Sequence, residues 1–261
     1  MDKIRLIDNN DLLESKVDLL IKSNLNKTVI RDIALEINSS FKESIIVVYA
    51  KGKRDTSESN ILNRVKNFRE TRSIGQFDAV IKYRNGLLFI ATYEKLDHSA
   101  FKDKAESLIR ILRLDPVECF IGISNLHSGL GELGNAINES LFAERTGEVF
   151  SGQSHYFNDI GIFSILIPYS RDAWIQNFYD RMIEPIKNYD EKYHTELFNT
   201  ALKFVEHDGI ITKTAEALFL HRNTIRYRIN KIKELHHMEN SELSFYEQLS
   251  IAIKLYKIYT V

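Results

Sequence analysis

Thr214–Leu235, TAEALFLHRNTIRYRINKIKEL, decides how the C-terminal third of the chain is read. A short helical run with small Ala215 and Ala217 and apolar Leu218 is followed, after only Leu220 and His221, by a second run from Arg222 to Leu235. Two helices joined by so short a turn must cross steeply, which is helix-turn-helix geometry. Just upstream, Asp208-Gly209 closes the preceding helix, Gly209 being suited to the left-handed C′ position. With Ile225 as origin, Ile229 lies at about 40° and Ile232 at about −20° around the helix, so the three isoleucines define a buried stripe. The opposite face carries Asn223, Tyr227, Asn230 and Glu234, flanked by Arg226 and Lys233 on one side and by Thr224, Arg228 and Lys231 on the other. Hydrogen-bonding tips in the centre and cations at the margins suit a major groove, with base edges in front and a phosphate ridge on each side. His221–Lys233 contains Arg222, Arg226, Arg228, Lys231 and Lys233 and no acid, in a chain whose net charge is −1. The balanced total gives no global pull toward nucleic acid or membrane, so the signal is local. Phe219 stands where such turns often carry Gly, and His221 where Ser or Thr usually caps; His221 either caps the helix or contacts a phosphate.

Apolar spacing makes the rest of this region helical as well. Trp174–Ile186, Thr195–Val205, Lys213–Phe219 and Leu243–Tyr256 repeat at three and four residues, giving an all-helical domain over 169–261. Upstream the pattern changes. Ile45–Ala50, IIVVYA, is a continuous strand-like run, Phe77–Tyr93 holds two strands around the hairpin signal Asn85-Gly86, and Cys119–Ile123, CFIGI, reads as a buried strand. Helices are expected over Asn60–Glu70, Phe101–Leu112 and Leu133–Ala143, and His155–Ile167 closes the unit with Pro168 at its edge. The order β-α-β-β-α-β-α predicts a ferredoxin-like α+β layer over 43–168. Residues 1–42 contribute two amphipathic helices, Asn10–Ser23 and Lys27–Phe41, too short for a core of their own, which pack on that layer or on a second subunit.

At 261 residues the chain is long enough for two domains, and 44% hydrophobic with 27% charged residues excludes disordered and collagenous classes. The lone Cys119 forms no internal disulfide and no Cys-rich zinc site. Met1–Asn10 lacks the apolar core of a signal peptide and no run reaches membrane-spanning length, so a cytoplasmic protein without a membrane partner is expected.

The run His221-Arg222-Asn223-Thr224-Ile225-Arg226-Tyr227-Arg228 resembles the signature of the PucR/CdaR transcriptional regulators. The likeness extends upstream through Glu184-Pro185, Tyr189-Asp190 and Thr195-Glu196-Leu197, and downstream through Leu249–Leu255. Ser44–Pro168 more weakly resembles the GGDEF-like domain that precedes this module in the family. The resemblance implies a sheet related to diguanylate cyclases without their chemistry: the hairpin reads Tyr83-Arg84-Asn85-Gly86, and Val48-Tyr49-Ala50-Lys51 ends without an acidic metal ligand. No catalytic residue, metal or cofactor is expected. The N-terminus is too short for the sugar-diacid sensing domain of some members.

Three other patterns read as structural. Gly129-x-Gly131-x-x-Gly134 is separated from its strand by Ser124–Ser128, unlike a dinucleotide site, and reads as a loop. His236-His237 diverge by about 100° and form a solvated helix end rather than a chelating pair. Cys119 sits in an apolar strand as core.

The chain therefore reads as a sequence-specific DNA-binding regulator of metabolic genes that responds to a small-molecule effector. His221, Arg222, Asn223, Thr224, Arg226, Tyr227, Arg228 and Lys231 form the DNA surface: Arg222, Asn223 and Tyr227 toward bases, Thr224, Arg226, Arg228 and Lys231 toward phosphates. One such helix reaches few base pairs, so a homodimer on half-sites about 34 Å apart, or several copies on an array, is expected. The rivals are a nucleotide-binding or cyclase-like α+β protein with an incidental helical tail, and a helical protein-interaction module.

Overall fold

A computed structural model describes residues 10–22, 25–53, 77–112, 117–150 and 155–260. The expected helix Asn60–Glu70 lies outside them. The chain divides into two compact units, Met1–Ile167 and Pro168–Val261.

The first unit is built on a mixed sheet of β1 (Ser44–Gly52), β2 (Ala79–Tyr83), β3 (Gly86–Tyr93), β4 (Cys119–Ile123), β5 (His127–Ser128) and β6 (His155–Tyr156). Its order is β2-β3-β1-β4-β6, with β5 on the end of β1. The four long strands are antiparallel neighbours in the order of the split βαβ layer that the sequence predicts. β6 is added parallel to β4.

The unbroken apolar run of β1 follows from burial on both sides. Ile45, Val47 and Tyr49 face α1 (Asn10–Leu20), α2 (Lys27–Ile37) and the first half of α4 (Leu133–Phe150). Ile46, Val48 and Ala50 face Ala105 and Leu108 of α3 (His98–Leu112), with Cys119 in the same cluster. The two N-terminal helices thus pack on the sheet of their own chain, through Leu13, Val17, Leu20, Ile30, Ala34 and Ile37.

Local expectations shift in three places. The β2–β3 turn is Arg84-Asn85, with Arg84 left-handed (φ 50°), and Gly86 is already in β3, paired with Lys51 and Tyr83. Gly86 is needed for closeness, since a Cβ there would sit 2.6 Å from the Ala50 carbonyl oxygen and 2.7 Å from the Tyr49 ring. α4 runs past Ala143 to Phe150, because Val149 continues its buried face. After β6 the chain makes a 3-10 turn and α5 (Phe163–Tyr169), whose last turn accommodates Pro168 instead of ending at it.

Gly129 is left-handed (φ 91°), while Cβ atoms on Gly131 and Gly134 would strike the Lys27 side chain at 2.8 Å and the Leu20 carbonyl at 2.1 Å. Gly131 therefore lets α2 approach the 3-10 turn (Leu130–Glu132) that precedes α4, and Gly134 lets α1 approach α4 itself. Gly122 plays a similar part under α4: a Cβ would lie 1.9 Å from the Ser140 carbonyl oxygen. That close seating carries Glu144 into the interior at 5% exposure, with Oε1 unpartnered. Beside it, Glu148 is bound by Lys51 and, at 2.5 Å, by Arg145.

The second unit is all helical: α6 (Ala173–Tyr193), α7 (Leu197–Glu206), α8 (Ile211–Leu218), α9 (Arg222–Leu235) and α10 (Glu242–Thr260). The Trp174–Ile186 helix continues through Pro185 for two further turns, because Met182, Ile183 and Ile186 anchor it in the core and Tyr189 packs against that core. α7 ends with Asp208 as well as Gly209 left-handed (φ 55° and 75°), Gly209 N–H reaching back to the Phe204 carbonyl at 2.8 Å. No helix among the described residues is long and apolar enough to cross a membrane.

Candidate nucleic-acid interface

α8 and α9 meet across Phe219-Leu220-His221. Phe219 takes the left-handed conformation (φ 54°) and Leu220 N–H donates to the Ala215 carbonyl at 2.9 Å, a closure usually given to glycine. The ring is 96% exposed, so no packing offsets a backbone cost of about 1 kcal/mol. His221 is extended (φ −72°, ψ 142°), and its Nδ1 accepts from Asn223 N–H at 3.2 Å. The ring therefore caps α9, in the tautomer that leaves Nε2–H as a donor.

α9 is oriented by its stripe. Ile225, Ile229 and Ile232 are 0, 3 and 0% exposed and join Ala215 of α8, Phe204 of α7 and Phe245 of α10 in one core. Arg222, Asn223, Arg226, Tyr227 and Asn230 are exposed as the periodicity predicts. Arg226 lies along the face, its Nη1 donating to Asn223 Oδ1 over a long 3.4 Å.

The cations behave differently from one another. Arg228 reaches across to α7, donating to Thr200 Oγ1 at 3.1 Å and Glu196 Oε2 at 3.2 Å. Lys231 pairs with Glu234 at 2.9 Å and lies over the Tyr189 ring. Lys233, placed by spacing alone at the margin of the groove face, is corrected by the structure: its side chain is 7% exposed, pairs with Glu242 and lies over the Phe245 ring. The His236-His237 end is also corrected. His237 is exposed, but His236 is half-buried with Nε2 unpartnered, and burial holds its pKa below the ordinary imidazole value.

α7, against which α9 is braced, is held by Asp190 of α6. Its Oδ1 accepts from Thr195 Oγ1 at 2.5 Å and from Leu197 N–H at 2.7 Å, and its Oδ2 from Phe198 N–H at 2.8 Å. A carboxylate here satisfies orphan helix donors and opposes the positive end of the helix dipole. Asp190, Glu196, Thr200 and Glu242 were not legible as members of the site. Asp190 alone left a local signal, an acid a few residues before a helix start, while the others act over distances in sequence that periodicity does not span.

Residues 197–255 match the PucR C-terminal helix-turn-helix domain. The chain is 25% identical over 205 residues to the proline-responsive transcriptional activator PutR of Bacillus subtilis, covering 77% of this chain and 45% of that protein. It is 22% identical over 175 residues to the DNA-binding transcriptional activator AdeR of the same organism, covering 64% and 42%. It is 25% identical over 146 residues to the carbohydrate diacid regulator of Escherichia coli, covering 55% and 37%. The chain thus spans less than half the length of these relatives.

Proposed function

Because residues 197–255 match the PucR C-terminal helix-turn-helix domain and the chain is similar to three transcriptional regulators, we propose that it is a regulator of the PucR/CdaR type that binds duplex DNA by laying α9 in the major groove. The observation that carries this reading is the division of α9, with three isoleucines in the core and Asn223, Arg226 and Tyr227 outward. Arg222, Asn223 and Tyr227 read base edges, Arg226, Thr224 and Lys231 meet phosphates, and His221 offers Nε2–H to the backbone at the helix entry. Arg228 contributes by holding α9 to Glu196 and Thr200, and a phosphate contact would compete with that pair. Two copies on adjacent half-sites supply the specificity that one helix lacks. Residues 43–168, with the helices of 1–42 packed on them, are read as the GGDEF-like domain of the family and as the part that senses a small-molecule effector for metabolic genes. Their place directly before the helix-turn-helix unit supports this.

The test is a selection of bound genomic fragments followed by variants. Asn223→Ala relaxes preference at one base position and weakens the selected site by roughly 1 to 3 kcal/mol. Arg226→Ala weakens all sequences alike and lowers the salt slope by about one. Arg228→Met weakens binding while leaving the salt slope near that of the parent, as expected of a brace. A selection that enriches no motif, or variants that match the parent, would overturn the assignment.

A further inference from the structure

Phe219 is the most exposed large apolar side chain among the described residues. It occupies a left-handed backbone conformation that glycine would adopt without strain. Packing does not account for a ring there, because the residue of this turn that packs against the core is the next one, Leu220. Strain kept without a compensating contact inside the fold points to something the side chain meets in use. The surroundings say what that is. Phe219 lies two residues before His221, the cap of α9, so their Cα atoms are at most about 7 Å apart. His221, Arg222 and Asn223 are exposed, and His221–Lys233 carries five cations and no acid. A lone apolar ring among cations and amides is poorly matched to the core of a protein interface, from which charged residues are depleted. It suits a polyanion that presents isolated methyl groups between phosphate ridges. In the major groove of duplex DNA that group is the C5-methyl of thymine.

We propose that Phe219 is a specificity-determining residue whose ring packs on the C5-methyl of a thymine beside the base pairs read by Arg222 and Asn223. The inference rests on the reading of α9 as the recognition helix and adds an apolar contact supplied by the turn before it. Hydrogen-bonding tips on α9 and a ring at its entry then read two chemistries in neighbouring base pairs. The ring neutralises no phosphate, so its contribution is insensitive to salt, unlike that of Arg226.

The full chain is titrated with a duplex carrying the selected site, and with the same duplex in which deoxyuridine replaces each thymidine in turn, deleting one methyl and no hydrogen bond. The parent loses about three- to fourfold at a single thymine, adjacent to the position whose preference Asn223→Ala relaxes. Phe219→Gly loses about tenfold on the unmodified site with the salt slope of the parent, and is indifferent to uridine at that thymine. It melts close to the parent, since glycine relieves the left-handed backbone while loosening the unfolded chain. Phe219→Leu keeps part of both effects. Phe219→Gly binding as tightly as the parent, as expected if the ring serves a protein partner, would overturn the proposal. So would equal uridine penalties in parent and variant, a selected site without thymine at that position, or a melting temperature well below that of the parent. Where Asn223→Ala still relaxes base preference, such results remove the role of Phe219 and leave α9 as the recognition helix. Where both variants match the parent, the reading of α9 falls as well.

Discussion

Glu144→Gln is expected to stabilise the protein near neutral pH and to remove a slope from its stability profile. Glu144 is pushed up from an ordinary 4.5 to about 8, by burial first and by the neighbouring Glu148 carboxylate second, against the opposing pull of Lys51, Arg145 and Arg84. The same burial, reinforced by Glu144, raises the hydroxyl of Tyr49, which donates to the Tyr83 carbonyl at 3.0 Å. Between pH 4.5 and 8 the folded chain holds a proton on Glu144 that the unfolded chain has released. Stability is therefore fully present below the lower value and is lost as pH rises toward the upper one, by up to about 1.4 kcal/mol per unit. At pH 7 the loss has reached roughly 3 kcal/mol, and a neutral amide of the same shape avoids it. Urea unfolding at pH 5, 7 and 8.5 reads this directly: the curves of parent and variant converge at pH 5 and separate above it. Parallel profiles would mean that Glu144 is ionised in the folded protein.

The same residue marks where sequence reading stops. IIVVYA announced a strand, and the isoleucine spacing of α9 announced which side of that helix is core, because both are one-dimensional patterns that burial imposes directly. The fate of a charged side chain is settled by neighbours far off in sequence. Lys233 lay at the margin of the exposed arc by angle, yet Glu242 and Phe245 of the following helix take it in. Arg228 finds its partners on α7, and Glu144 is buried because Gly122 admits α4 to the sheet. Two backbone details are likewise set by packing. The hairpin read at Asn85-Gly86 forms, with its turn at Arg84-Asn85 and the glycine placed against the Tyr49 ring, and the helix read through Pro185 continues past Ile186 because three core side chains keep it going.

Asp190→Ala is expected to destabilise the helical unit by about 2 to 4 kcal/mol, since it deletes a charged acceptor of three hydrogen bonds at a helix start. Its effect should not stop at stability. Leu197 and Phe198 open α7, and Glu196 and Thr200, which hold Arg228, lie in the same stretch. Freeing that end loosens the brace under α9 without touching any exposed residue of its outer face. At a temperature where circular dichroism shows the variant still folded, affinity for a selected DNA site should fall while base preference stays as in the parent, opposite to the pattern for Asn223→Ala. Asp190→Asn, which keeps one acceptor oxygen, should fall between. Unchanged affinity in folded Asp190→Ala would show that α9 holds its orientation through the isoleucine stripe alone.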